Sequence, residues 1–362
     1  MGRNRNIRGA NSSSHSMGSN TKSHVFVTGA TGFIGSAVVR VLCRDGKGIR
    51  VLVRDAARAR QHFSKIDGVD LERLDFLEGD LFAGPPAERK NLFLSGVRDT
   101  DVVIHLAEAK SSVKDSEVKN VKSFGLLLEA AGETKSVSRF VLVSAFMAGG
   151  IPTPLPQVLE EDMTGDEFPD PYYRWKRMAE RLLVRASSGS HYSYAIVRPA
   201  LVYGPRAEWL VPMLKAIHRF GRFWIPLPNG GRAMLGTVHV EDAANLIAKA
   251  GWSLAARNCI VHAVDNGGTS YVDWMSAIAS AAGWKVRIAS FPAGWTRAVA
   301  RGADALGGVV GLHYGASLWA EVLSTGCGYS NERMRKVTGE LLYPTIREGV
   351  PGMIRWFNNS RL

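Results

Sequence analysis

Cysteine is scarce in this 362-residue chain. Cys43, Cys259 and Cys327 are odd in number, far apart, and form neither a CxxC pair nor a cluster with histidine. That argues against a disulfide scaffold and a thiolate metal site, and it fits a reducing, cytoplasmic compartment. Long apolar runs are missing as well. A membrane span takes about 18 apolar residues in a row. The longest candidate, Gly302 to Leu323, is interrupted by Asp304, His313 and Glu321, which leaves room only for a loose membrane contact. Aromatic residues do not alternate with a basic stripe, so nucleic acid is not an expected partner despite a net charge of +12. Acidic residues are absent from the first 23 positions, where Arg3, Arg5, Arg8 and Lys22 carry four of those charges. Residues 1–23, rich in Ser, Asn and Gly and without an apolar helical face, are expected to be disordered. A weak transit peptide, a vector-derived leader and an upstream extension with Met17 as the start are three origins for them. The last two suit them better, because an amphipathic targeting helix needs leucines and aromatics. The +8 that remains suits an anionic cofactor or substrate.

What the chain does have is apolar residues, 46 % of the total, enough for one large core or for a main domain with a smaller lobe. From His24 onward, short β-rich runs alternate with amphipathic stretches. The strand candidates are His24 to Thr28, Ile49 to Arg54, Leu74 to Leu77, Asp101 to Leu106, Arg139 to Ser144 and Ser193 to Arg198. Helices are expected near Ile34 to Arg44, Pro86 to Leu94, Asn120 to Ala131 and Tyr172 to Arg185. This alternation predicts an α/β fold, a Rossmann doubly wound parallel sheet covered on both faces. After Pro199 the pattern loosens into Pro- and Gly-containing stretches and further helices. Residues 24–200 are therefore expected to form the dinucleotide-binding domain. Residues 201–362 are expected to be mostly a smaller substrate-binding lobe, some of whose segments return to the sheet. Such a lobe would close over the carboxyl ends of the strands, where open α/β sheets bind ligands.

The first strand runs straight into Gly29-Ala30-Thr31-Gly32-Phe33-Ile34-Gly35 and then into a helix carrying Ala37, Val38, Val41 and Leu42. A glycine turn between strand and helix bares backbone N–H groups at a helix N-terminus, where the dipole favours a pyrophosphate. Gly29 allows the tight turn, Gly32 the close approach of the ligand, and Gly35 the packing of helix on strand. The second strand ends at Arg54, with Asp55, Arg58 and Arg60 following. An acidic residue at that tip would accept the ribose 2′-hydroxyl of NAD, whereas a guanidinium suits the 2′-phosphate of NADP. NADP(H) is therefore the favoured cofactor, and NAD(H), served by Asp55, stays open.

Thr28 to Gly35 fits a Thr-Gly-x-x-Gly-x-x-Gly pattern, and further markers follow in order. They are Gly79-Asp80-Leu81, His105-Leu106-Ala107, Tyr172-x-x-x-Lys176, Arg198-Pro199, Tyr203-Gly204-Pro205 and Val238-His239-Val240-Glu241-Asp242. With these the chain resembles the extended short-chain dehydrogenase/reductases, including the NAD-dependent epimerases and dehydratases, over nearly all of its length from His24. The resemblance implies that Gly29, Thr31, Gly32, Phe33, Ile34 and Gly35 hold the cofactor phosphates. It places Asp80 and Leu81 beside the adenine, Leu106 and Ala107 along the phosphates and ribose, and Pro199 beside the nicotinamide. It also implies that Tyr172 exchanges a proton with the substrate oxygen and that Lys176 holds the nicotinamide ribose. Many relatives pair helices to form a homodimer.

The Tyr/Lys spacing has its own logic. Four residues apart on a helix, Tyr172 and Lys176 share a face, and a nearby ammonium lowers a tyrosine pKa towards working pH. One departure stands out. Relatives carry a Ser or Thr near the end of the fifth strand, and Ala145 falls at that place here. Ser144 lies one position earlier and, on a regular strand, would face the other way. A bulge that turns Ser144 inward, another polar group in its place, or a changed chemistry would each account for this.

The approach to the Val-His-Val-Glu-Asp run, Arg232-Ala233-Met234-Leu235-Gly236-Thr237, lacks the Arg-Asp common in sugar-nucleotide members. Together with Trp295, Trp319, Leu306, Val309, Val310 and Leu312, it points to a small hydrophobic ketone or alcohol, as in the hydroxysteroid dehydrogenase-like and dihydroflavonol reductase-like branches. The expected function is an NADP(H)-dependent oxidoreductase. A nucleotide-sugar epimerase or dehydratase with tightly held cofactor and a non-catalytic NAD(P)-binding subunit or sensor are the alternatives.

Overall fold

A computed structural model describes residues 24–109, 115–150, 170–220, 224–266, 268–309 and 329–360, with single positions between 317 and 326. The 23-residue leader and half of the 302–323 stretch lie outside the described residues. The first half alternates as its sequence predicts, with one further helix, α2: β1 (Val25–Thr28), α1 (Phe33–Arg44), β2 (Ile49–Val53), α2 (Ala56–Phe63), β3 (Leu74–Glu78), α3 (Pro86–Val97), β4 (Val102–His105), α4 (Ser116–Glu133), β5 (Arg139–Val143), α5 (Pro171–Ser188) and β6 (Ser193–Pro199).

Then come β7 (Leu201–Tyr203), α6 (Val211–Phe220), β8 (Trp224–Pro228), β9 (Met234–Leu235), β10 (Thr237–His239), α7 (Val240–Ala250), β11 (Cys259–Ala263), β12 (Thr269–Ser270), α8 (Tyr271–Ala282), β13 (Arg287–Phe291), α9 (Ala293–Val309), α10 (Glu332–Thr338) and α11 (Ile346–Asn359).

The main sheet has seven parallel strands in the order β11-β6-β5-β4-β1-β2-β3. The order reverses between β1 and β4, so their carboxyl ends open a crevice there. Both faces are apolar because helices cover both. Val25 and Val27 of β1 bury into a cluster with α1 and α7, while Phe26, pointing the other way, packs with Phe93, Phe124 and Phe140 under α3 and α4. The last strand of the sheet, β11, comes from the second half of the chain and pairs with β6 from Cys259 to Ala263. A separate apolar cluster gathers Tyr203, Leu214, Trp274, Ile278, Val350 and Met353 from β7, α6, α8 and α11.

Contacts at the start of α7 close the second half on itself and tie it to the first. The Asp242 carboxylate, at the start of α7, accepts hydrogen bonds from the backbone N–H groups of Leu342 (2.7 Å) and Tyr343 (2.9 Å). Arg40 of α1 forms an ion pair with Glu241. The structure adds to two sequence readings. Asp55 caps α2, its Oδ1 accepting the Arg58 N–H at 2.8 Å. Trp295 is 72 % exposed on α9, and the side chains of Leu306, Val309, Val310, Leu312 and Trp319 lie outside the described residues.

Candidate active site

A cavity of about 500 Å³ opens beyond the carboxyl ends of β1, β4, β5 and β6. The glycine turn forms one wall. Gly29 adopts φ +73°, and a side chain there would meet the Ala107 backbone N at 2.7 Å. Gly35 has no room for a Cβ against the Gly29 carbonyl and Ala30, which lets α1 start close under the turn. Gly32 caps α1 with backbone alone, and no acidic residue occupies the first helical turn. The N–H groups there are thus left for an anion, and the turn fits a pyrophosphate.

Tyr172 and Lys176 enter from the first turns of α5. The helix starts where Asp170 accepts the Tyr172 N–H at 2.7 Å and Pro171 occupies its first position. A bidentate ion pair between Arg198 of β6 and Glu180 of α5, at 2.9 and 2.7 Å and fully buried, holds the helix against the sheet. Lys176 is buried; its Nζ donates to the Val143 carbonyl at 3.1 Å and lies 5.5 Å from the centre of the Tyr172 ring. Glu108, just beyond β4, places its carboxylate 2.9 Å from the same Nζ.

The electrostatics differ from the sequence expectation. Burial pushes the Tyr172 phenol well above the ordinary tyrosine range, and the carboxylates of Glu108 and Asp170 push it the same way. Lys176 does not bring it down. Nearby His105 is held neutral, its pKa lowered to about 3 by burial and secondarily by Lys176, and its Nδ1 is 2.7 Å from Thr28 Oγ1.

Of the residues the sequence singled out, the cavity brings together Gly29, Gly32, Phe33, Ile34, Gly35, Leu106, Tyr172, Lys176 and Pro199. Thr31, Arg54, Asp80, Leu81 and Ala107 lie outside its lining. Thr31 and Arg54 are exposed, Arg54 directly after β2. The Asp80 carboxylate accepts the Phe82 N–H at 2.8 Å, and Leu81 is core. Ala107 backs the glycine turn.

Both Ser144 and Ala145 face the cavity. β5 ends at Val143, and the cavity lies off its tip rather than to one side, so alternation of faces no longer separates the two. The Ser144 hydroxyl is buried, with no hydrogen-bond partner among the described residues. Leu235, from the apolar approach noted in the sequence, and Tyr173 also line the cavity, as do Glu108, Phe146, Trp209 and Tyr271, which sequence reasoning passed over. For Glu108 a signal was present: a carboxylate placed directly after the His-Leu-Ala run at the end of a central strand.

The model of the NAD dependent epimerase/dehydratase family matches residues 25–256. The chain belongs to that family. It is therefore an NAD(P)-dependent oxidoreductase or epimerase of the extended short-chain dehydrogenase/reductase type. Among curated family relatives, a cinnamoyl-CoA reductase of Medicago truncatula is 29 % identical over 267 residues, covering 68 % of this chain and 78 % of its own. A 4-hydroxy-2-methyl-3-oxo-4-farnesyl-3,4-dihydroquinoline-1-oxide ketoreductase of Stigmatella aurantiaca is 26 % identical over 304 residues, covering 81 % and 80 %. Among solved structures, a UDP-glucose 4-epimerase of Thermus thermophilus in complex with NAD has the same fold, with a TM-score of 0.66, 21 % identity and coverage of 93 % and 99 %. Among the described residues, no helix is long and apolar enough to cross a membrane.

Proposed function

We propose that the chain is an NADP(H)-dependent oxidoreductase that acts on the carbonyl, or the corresponding secondary alcohol, of a small hydrophobic substrate. One observation carries this reading. Partly buried Tyr172 and buried Lys176 line one cavity together with the glycine turn, and the rest of its lining is mostly apolar, including Phe33, Phe146, Leu201 and Leu235. Lys176 is the sole cation among the described residues that line it, and Glu108 already pairs with it. A nucleotide-sugar diphosphate would need further positive charge in that space. The reductase relatives point the same way.

In this reading the glycine turn and the start of α1 bind the pyrophosphate, and Arg54 takes the 2′-phosphate. Lys176 holds the nicotinamide ribose, and Pro199 lies beside the ring. The cofactor, when bound, supplies or accepts the hydride. Tyr172 delivers the proton to the substrate oxygen, and the buried Ser144 hydroxyl donates a hydrogen bond to that oxygen in the place of the usual residue one position later.

The test is to offer purified protein two substrate classes: hydrophobic ketones with NADPH, following its absorbance, and UDP-hexoses, following their interconversion. Net NADPH consumption with a ketone supports the proposal. Interconversion of UDP-hexoses without net cofactor change would replace it with the epimerase reading. Nucleotide binding without either activity would favour a sensor.

A further inference from the structure

Glu108 enters the reading above only as the partner of Lys176, and the backbone beside it is anchored. The buried Asn120 of α4 grips the next residue from both sides, its Oδ1 accepting the Ala109 N–H at 2.6 Å and its Nδ2 donating to the Ala109 carbonyl at 3.2 Å. On this anchored loop the Glu108 carboxylate reaches 2.9 Å from Lys176 Nζ, whose side chain is 4 % exposed. The ammonium thus has two oxygen partners, this carboxylate and the Val143 carbonyl. An ammonium stabilises a neighbouring phenolate only to the extent that its charge is not already neutralised, and burial strengthens both effects.

We propose that Glu108 is a positioning residue that ties up the Lys176 ammonium and so keeps Tyr172 a phenol, setting the site to give a proton to a carbonyl rather than to take one from an alcohol. This rests on Tyr172 being the proton donor. In the favoured direction the phenol O–H bond breaks and its proton goes to the carbonyl oxygen. The carbonyl carbon gains the hydride whose loss oxidises NADPH to NADP+, and the phenolate recovers a proton from water.

The other charges around Tyr172 are accounted for among the described residues. Asp170, the cap of its own helix, is a second carboxylate acting in the same direction as Glu108. Glu117 of α4 is engaged by Arg174 at 3.1 Å, and His105 of β4 is neutral.

The proposal is tested on the protein without added nucleotide, labelled with 13C at the tyrosine ζ carbon, by NMR titration. Tyr172 is identified by the resonance that Tyr172→Phe removes. In the wild type it stays at the phenol position past about pH 10, the ordinary tyrosine midpoint. In Glu108→Gln the midpoint falls by at least about one pH unit, roughly tenfold more phenolate at a given pH. Glu108→Asp, which keeps the charge, returns most of the way to wild type, and unmoved resonances of the other tyrosines show the fold intact. Adding Lys176→Met to Glu108→Gln removes most of the effect, leaving the smaller part by which the carboxylate acts on the phenol directly. An identical titration in wild type and Glu108→Gln overturns the proposal. So does a Gln effect undiminished by Lys176→Met, because the carboxylate would then act on the phenol directly. Either result leaves the reductase reading standing; full turnover by Tyr172→Phe would instead overturn that reading.

Discussion

In the proposed reading, Ser144 and Arg54 each act through a single side-chain group, one on the substrate oxygen and one on the 2′-phosphate. A buried hydroxyl without a protein partner is costly unless a ligand satisfies it, and the Ser144 hydroxyl faces the cavity in that state. Ser144→Ala is expected to lower kcat about 100-fold with NADPH affinity unchanged, and adding Ala145→Ser should restore part of the loss. Steady-state kinetics beside a fluorescence titration checks both. Arg54→Ala should weaken NADPH binding about tenfold and leave NADH binding unaltered, on the scale of one charge-assisted contact. Equal loss for both nucleotides would remove Arg54 from the 2′-phosphate. The glycines and the Tyr/Lys pair were legible because their spacing alone implies a geometry. The orientation of Ser144 was not, because face alternation holds only while a strand continues, and β5 stops at Val143. Nor was the state of Tyr172. Lys176 is visible in sequence four residues away, while the carboxylate that neutralises it comes from a loop 68 positions earlier.

At the scale of elements, α5 presents Tyr172 and Lys176 to the cavity and is fastened at its start and at its middle. Asp170 caps it, and Glu180 binds Arg198 with both partners fully buried. Removing one member of a buried pair strands the other, which typically costs 3–5 kcal/mol. Glu180→Ala should therefore destabilise the protein by about that much, against about 1 kcal/mol for Asp170→Ala. Urea unfolding measures both, and similar small losses would mean the pair does not hold the helix. The strands of the first half were readable to within a residue or so because each is a short apolar run between turn residues. α2 was not foreseen. Its cap, Asp55, reads from the strand before it as a ribose-binding residue, and the hydrogen bond to Arg58 is visible only in the structure. The short strands of the second half carry little periodicity, and β8 even contains Pro226 and Pro228, which sequence rules assign to turns.

For the whole molecule, three buried histidines on different elements make stability depend on pH. Burial above all, with Lys176, Arg198 and Arg40 adding, lowers His105 and His262 to about 3 and His239 to about 4. Unfolded, each takes up a proton near its ordinary 6.5. Stability is thus fully present above pH 6.5 and is lost as pH falls towards 4, each histidine contributing about 1.4 kcal/mol per pH unit. The urea midpoint should fall steeply between pH 7 and pH 5; a flat profile would contradict the buried neutral state. The order of the main sheet was legible through the motif sequence. The pairing of β11 at its edge was not legible, since pairing over that distance leaves no local trace. The central claim is that a dinucleotide and an apolar carbonyl meet at Tyr172. Its most direct test is the single-turnover rate of NADPH oxidation with a hydrophobic ketone in wild type and Tyr172→Phe. The account predicts a loss of about 100-fold or more with NADPH affinity unchanged, and equal rates in the two proteins would contradict it.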